Sequence, residues 1–170
     1  MKQVDLKTLN QHLEKIVSSS AMERADIVAA VIPAAGEQLP VYPSQVLLVD
    51  DSAENRELLR LLLSRQPLVI SEASNGLEAV DLFDKNEYAL ILMDIQMPTM
   101  DGYTAIRIMR SIEAHSAHRR TPIVALTANA YEADILRCKE AGCDDHIAKP
   151  FKKNVLLQCL AHYIPGIEHG

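Results

Sequence analysis

Five short apolar runs, each closed by polar residues, restrict this chain to very few folds. They are "QVLLVDD" (45–51), "LVISEAS" (68–74), "YALILMD" (88–94), "TPIVALT" (121–127) and "DHIAKP" (145–150), all rich in Val, Ile or Leu. Longer segments with helical spacing lie between them. Leu58, Leu59, Leu62 and Leu63 form one apolar face, and Ala105, Ile108, Met109 and Ile112 form another. Val155, Leu156, Cys159, Leu160 and Tyr163 form the clearest. Strands that alternate with helices build βαβ units, and near-continuous apolar strands belong to a parallel sheet covered on both faces. The pattern therefore predicts an α/β, doubly wound (βα)5 domain with strand order 2-1-3-4-5 and right-handed crossovers.

In such a sheet ligands bind beyond the carboxyl ends of the strands, where the strand order reverses. The residues that close the runs are therefore the candidates for chemistry. Run one ends in Asp50 and Asp51, run three in Asp94, run four in Thr127 and run five in Lys149. Run two ends in Ser74-Asn75-Gly76, a turn, as suits an edge strand. Three acids, a hydroxyl and an ammonium thus converge on one rim. A pair of like charges 4 Å apart repels by roughly 4 kcal/mol at an effective dielectric of 20, so protons or a cation must offset the cluster. An all-oxygen set without His or Cys favours a hard ion, Mg²⁺ or Mn²⁺. Lys149 then supplies a point charge, and Thr127 a hydroxyl donor, for a phosphate.

No GxxxxGK[ST] loop and no Ser-His pair of familiar spacing accompanies this rim. The available nucleophile is a carboxylate, which can attack a phosphoryl group to give an acyl phosphate. The bland alternatives are a turn or cap role for each residue taken singly. Asp101 before Gly102 reads that way, and Met93, Met97 and Met100 read as packing. Ser52 reads as an N-cap for the helix after the first run. His12 lacks the context of a phosphorylated histidine, and His115, His118 and His169 suggest no metal site.

The 170 residues carry a net charge of −6, which argues against non-specific nucleic-acid binding. Cys138, Cys143 and Cys159 form no CxxC pair and read as small core or surface residues in a reducing cytosol. The start lacks an apolar signal core, and the longest apolar stretch is broken by Pro33 and too short to span a bilayer, so the expected location is cytoplasmic. Residues 1–32 read as a helical hairpin, with Leu6, Leu9, Leu13 and Ile16 along one seam and a capping box at Ser20 and Glu23. Residues 33–44 read as a Pro-rich linker and residues 45–164 as the α/β domain. A hairpin with an open seam needs a partner, so residues 5–32 are expected to support a homodimer or to bind a kinase.

"VLLVDDSAENR", "LILMDIQMPTMDG", "IVALTANA" and "AGCDDHIAKPF" together resemble the receiver (response-regulator) domain of two-component signalling. The resemblance covers about residues 45–164, close to the whole length of such a domain, and its flavour is similar to receivers of hybrid histidine kinases and phosphorelays. It implies a flavodoxin-like fold and a phosphoryl group accepted on Asp94 from a phosphohistidine of a sensor kinase or histidine phosphotransfer protein. It implies Mg²⁺ held by Asp51, Asp94 and the carbonyl of Gln96, with Asp50 assisting through water. Lys149 and the N–H of Ala128 would hold the phosphoryl group, and the Lys149–Pro150 bond would be cis. Thr127 would be the switch hydroxyl, while Gln96 and Asn129 sit where the family tunes the lifetime of the acyl phosphate. At the switch position, usually Tyr or Phe, stands His146, which would make coupling sensitive to pH between about 5 and 8. Such a domain is a signalling switch with protein–protein output rather than an enzyme. The tail "IPGIEHG" leads to the expectation that no effector domain follows. A Mg-dependent aspartyl-phosphate hydrolase is the rival reading, but it needs a second acid where Gln96 stands.

Overall fold

The computed structural model describes residues 44–115, 119–128 and 131–168. The helical hairpin expected over 1–32, nearly all of the linker and Asn129 lie outside these residues. Five parallel strands run in the order β2-β1-β3-β4-β5. They are β1 (Ser44–Val49), β2 (Leu68–Ala73), β3 (Leu90–Asp94), β4 (Ile123–Thr127) and β5 (Asp145–Ala148). The helices are α1 (Ala53–Leu63), α2 (Gly76–Lys85), α3 (Gly102–His115), α4 (Glu132–Ala141) and α5 (Lys153–Tyr163). This is the flavodoxin-like doubly wound sheet expected from the alternation of runs.

The strands read as continuous apolar runs because both faces are covered. Successive side chains alternate between two cores. Leu47, Val49, Ile91, Met93, Ile123 and Ala125 pack with residues of α2, α3 and α4. Val46, Leu48, Leu90, Leu92, Val124 and Leu126 pack with residues of α1 and α5. All of β3 and β4 is buried, whereas β2, at the edge, exposes Val69 and Glu72. Among the described residues no helix is long and apolar enough to cross a membrane.

Local chemistry sets where the helices start and stop. Ser52 caps α1 by accepting the Asn55 N–H at 3.2 Å, Asn75 caps α2 through the Glu78 N–H at 3.0 Å, and Asp101 accepts the Thr104 N–H at 2.8 Å before α3. α4 ends at Gly142, whose left-handed φ of 102° an L side chain rarely adopts. The helical faces differ in detail from those read in the sequence. Leu58 and Val155 are 43% and 40% exposed, while Ile106 and Leu157 take inward places. In each helix the buried stripe is wider than one residue, and its centre depends on how the helix sits on the sheet, which spacing alone does not determine. The three cysteines are free thiols, Cys138 and Cys159 buried and Cys143 half-buried.

Candidate functional site

The acids gather where β1, β3 and β5 end together. Asp94 is the last residue of β3, Asp50 and Asp51 follow β1, and Lys149 follows β5. One carboxylate oxygen from each of Asp50, Asp51 and Asp94 lies within 4.8 Å of the others. Asp50 is fully buried, Asp94 nearly so, and Asp51 is exposed. The Lys149 ammonium donates to Asp50 Oδ2 and to Asp94 Oδ2, both at 2.8 Å. Its position is further favoured by the Phe151 ring, whose centroid is 5.8 Å away. The Lys149–Pro150 peptide bond is cis.

Burial sets the electrostatics. It pushes the Asp94 carboxyl above the ordinary carboxylate range, against the hydrogen bond and charge of Lys149, while the Asp50 charge adds to the rise. For Lys149 burial is the largest single influence and acts downward. The bonds and charges of Asp50 and Asp94 together outweigh it, so the ammonium is held above the usual lysine range. Within this cluster three carboxylates face one ammonium, which leaves two negative charges uncompensated. An all-oxygen set with that excess fits a divalent hard cation such as Mg²⁺.

The other residues singled out in the sequence fall around this rim. Thr127 ends β4 with its side chain nearly buried, and Ala128 follows it, exposed. Gln96 is exposed, and its N–H donates to Asp94 Oδ1 at 3.2 Å. A cleft of about 420 Å³ opens beside them between Met97, Thr127, Ala128, Asp134 and Arg137. His146 lies apart from the acids on β5, with about a third of its side chain exposed and Nδ1 3.8 Å from Asp145 Oδ1. It lines a separate groove with Ile135, Lys139 and Cys143.

Two residues of α1 that pattern reading passed over contact the acids directly. Asn55 Nδ2 donates to both oxygens of Asp50, at 3.1 and 3.2 Å. Arg56 Nη1 donates to the Asp50 carbonyl at 2.7 Å, and Arg56 Nε donates to Glu72 of β2 at 3.0 Å. The only signal for them is position, one helical turn after the acid pair.

A doubly wound parallel sheet with an acidic, lysine-capped rim defines a class of phosphate-handling α/β domains. The response regulator receiver domain family matches residues 46–161, and the chain belongs to that family. It is a receiver domain of two-component signalling, a phosphoacceptor and signalling module. The transcriptional regulatory protein SrrA of Staphylococcus aureus (strain NCTC 8325 / PS 47) is 40% identical over 119 residues, 69% of this chain and 47% of SrrA. The chain thus spans about half the length of that curated relative. The receiver domain of the sensor histidine kinase PA1611 from Pseudomonas aeruginosa PAO1, solved with magnesium in its active-site cleft, is 36% identical with a TM-score of 0.64, covering 71% of this chain and 97% of that one. A chain of the Saccharomyces cerevisiae co-crystal of the histidine phosphotransfer protein Ypd1 with the Ssk1 receiver domain has a TM-score of 0.68 at 29% identity, covering 72% of this chain and 90% of that one.

Proposed function

We propose that Asp94 accepts a phosphoryl group from a phosphohistidine on a partner protein, and that the changed rim alters which proteins the domain binds. The observation that carries this reading is the Lys149 ammonium, 2.8 Å from Asp94, within a cluster of three carboxylates. Asp51, Asp94 and the Gln96 carbonyl would hold Mg²⁺ (or Mn²⁺), with Asp50 assisting through water. The cation supplies charge neutralisation for the transferring phosphoryl oxygens.

The chain's own residues do the rest. A carboxylate oxygen of Asp94 attacks phosphorus as the P–N bond breaks, and the electron pair leaves on the imidazole nitrogen of the donor. Asp94 needs no general base, because its carboxylate is already ionised once its charge is offset. Lys149 stands ready to follow the charge from the carboxylate to the phosphoryl oxygens. The Thr127 hydroxyl and the Ala128 N–H are the further donors proposed for that group. Gln96, exposed beside Asp94, carries an amide far too weakly acidic to protonate a leaving group, which favours a switch over a hydrolase. Movement of Thr127 would pass to His146 and the groove it lines on β5.

The partner is proposed to be a sensor histidine kinase or a histidine phosphotransfer protein, in the cytoplasm. Likeness to the Ssk1 receiver, crystallised with Ypd1, supports a phosphotransfer partner. Likeness to the receiver of a sensor histidine kinase supports the second reading, in which this receiver belongs to a hybrid kinase or relay. Residues 5–32 are proposed to pair with a second copy or with the kinase. One transfer experiment tests these points: a phosphohistidine-loaded phosphotransfer protein is mixed with the chain and Mg²⁺. Label should move to the full chain and not to Asp94→Asn. It should move to His146→Tyr as well, with partner binding altered because a phenol replaces the imidazole at the switch position. A chain beginning at Ser44 should accept phosphate but lose either self-association in sedimentation or transfer rate from the kinase. Label on Asp94→Asn would overturn the assignment, and unchanged partner binding in His146→Tyr would remove the role of His146.

A further inference from the structure

Resting on the reading of the acidic rim as a divalent-cation site, we propose that Asn55 is a positioning residue: it fixes the Asp50 carboxylate and thereby sets the metal affinity of the site. Asp50 is 0% exposed and accepts hydrogen bonds on both oxygens. Oδ1 takes the Ser52 N–H at 3.0 Å and the Asn55 amide at 3.1 Å. Oδ2 takes the Asn55 amide at 3.2 Å and the Lys149 ammonium at 2.8 Å. A carboxylate offers about four acceptor directions. These contacts fix its plane, so direct ligation falls to Asp51 and Asp94, while Asp50 acts on the cation through its charge and through water. Among the described residues, Asn55 is the one whose side chain bonds both oxygens, and it does so as a neutral donor. It therefore orients the charge without cancelling any of it, which a lysine could not do.

The main chain of the acid pair is held separately. Arg56 Nη1 bonds the Asp50 carbonyl at 2.7 Å and reaches the Asp51 carbonyl at 3.4 Å, while its Nε is anchored on Glu72. Asn55 is itself placed by its N–H, which donates to the Ser52 cap. Backbone and helix are thus fixed without the Asn55 amide, which leaves carboxylate orientation as its distinct task. Without that amide Asp50 keeps Ser52 and Lys149 but can swing about its χ angles, and a bound cation must first reorder it. Outer partners of metal ligands commonly account for 10–100-fold in affinity.

The test is Mg²⁺ titration of the folded full chain by calorimetry, well below the melting temperature. Asn55→Leu, close in size but without donors, should weaken Mg²⁺ binding about 10-fold or more. Asn55→Gln should recover most of the loss, because it keeps a neutral amide donor on a side chain only one methylene longer. Should the leucine variant fail to fold, Asn55→Ser compared with Asn55→Gln decides in the same way, serine binding more weakly. Mg²⁺ affinity within twofold of the parent in Asn55→Leu, or equal losses in the polar and apolar variants, would overturn the role of Asn55. A parent chain that does not bind Mg²⁺ would instead overturn the cation-site reading.

Discussion

Asp94 carries a charge that its surroundings oppose until a cation or phosphoryl group arrives. Burial raises its pKa in the folded protein, so the folded state holds the proton more tightly than the unfolded chain. Stability therefore falls as pH rises from the unfolded carboxylate range through the folded value of Asp94, and stays lower above it. Lys149 has a raised pKa too, but its contribution is present below the ordinary lysine range and is lost only as pH rises through its folded value. In Mg²⁺-free buffer near pH 7, Asp94→Asn should accordingly melt a few degrees above the parent. The gap should close on acidification towards pH 4, and added Mg²⁺ should raise Tm in the parent far more than in the variant. A variant that melts lower at every pH would mean that the charge of Asp94 stabilises the empty site. The acids, Thr127 and Lys149 could be picked out from the sequence because each closes an apolar run. Asn55 and Arg56 could not, since an Asn after a Ser cap looks like ordinary first-turn chemistry. Arg110 escaped for a similar reason. Its guanidinium joins Glu113 of its own helix to Asp144 and to the carbonyls of Gly142 and Thr121, three partners that only the fold brings to it.

At the scale of elements, the loop from β3 to α3 sets how closely the helix approaches the phosphoacceptor. The Gly102 N–H bonds the Ile95 carbonyl at 3.0 Å, which seats the first turn of α3 against the end of β3. A Cβ at Gly102 would lie 2.2 Å from the Asp94 carbonyl oxygen and 2.8 Å from Ile95 Cα, both backbone atoms that cannot step aside. In the same loop Thr99 has φ 69°, unusual for a β-branched residue. Gly102→Ala should therefore destabilise the domain by roughly 1–3 kcal/mol or more, read from urea unfolding. It should also slow phosphorylation, because the displaced atom belongs to Asp94 itself. Parental stability in the Gly102→Ala variant would mean that α3 can shift outward freely. The sequence showed "MDG" as a turn and cap, but the need for glycine came from an inter-element distance that no local pattern encodes. The strands were legible for the opposite reason: burial on both faces writes itself into every residue of β3 and β4.

At the scale of the molecule, the described residues form one sheet between two cores, and the site exists only where its strands end together. Asp50 and Lys149 are 99 residues apart in sequence, and no local segment could hold them 2.8 Å from each other. Their meeting could be foreseen because parallel topology sends every strand's carboxyl end to one rim, and the reversal of order at β1 and β3 opens it. What composition and topology do not encode is the partner, which depends on surface detail over several elements. Phosphorylation from a small donor tests the chemistry of the rim without any partner protein. The full chain is incubated with Mg²⁺ and a small acyl or amido phosphate, and the modified residue is located by mass spectrometry after trapping. One phosphoryl group on Asp94 is the predicted result, lost when the metal is chelated and lost in Asp94→Asn. Phosphorylation that persists without a divalent cation, or that maps to any residue other than Asp94, would contradict the proposed chemistry of the rim.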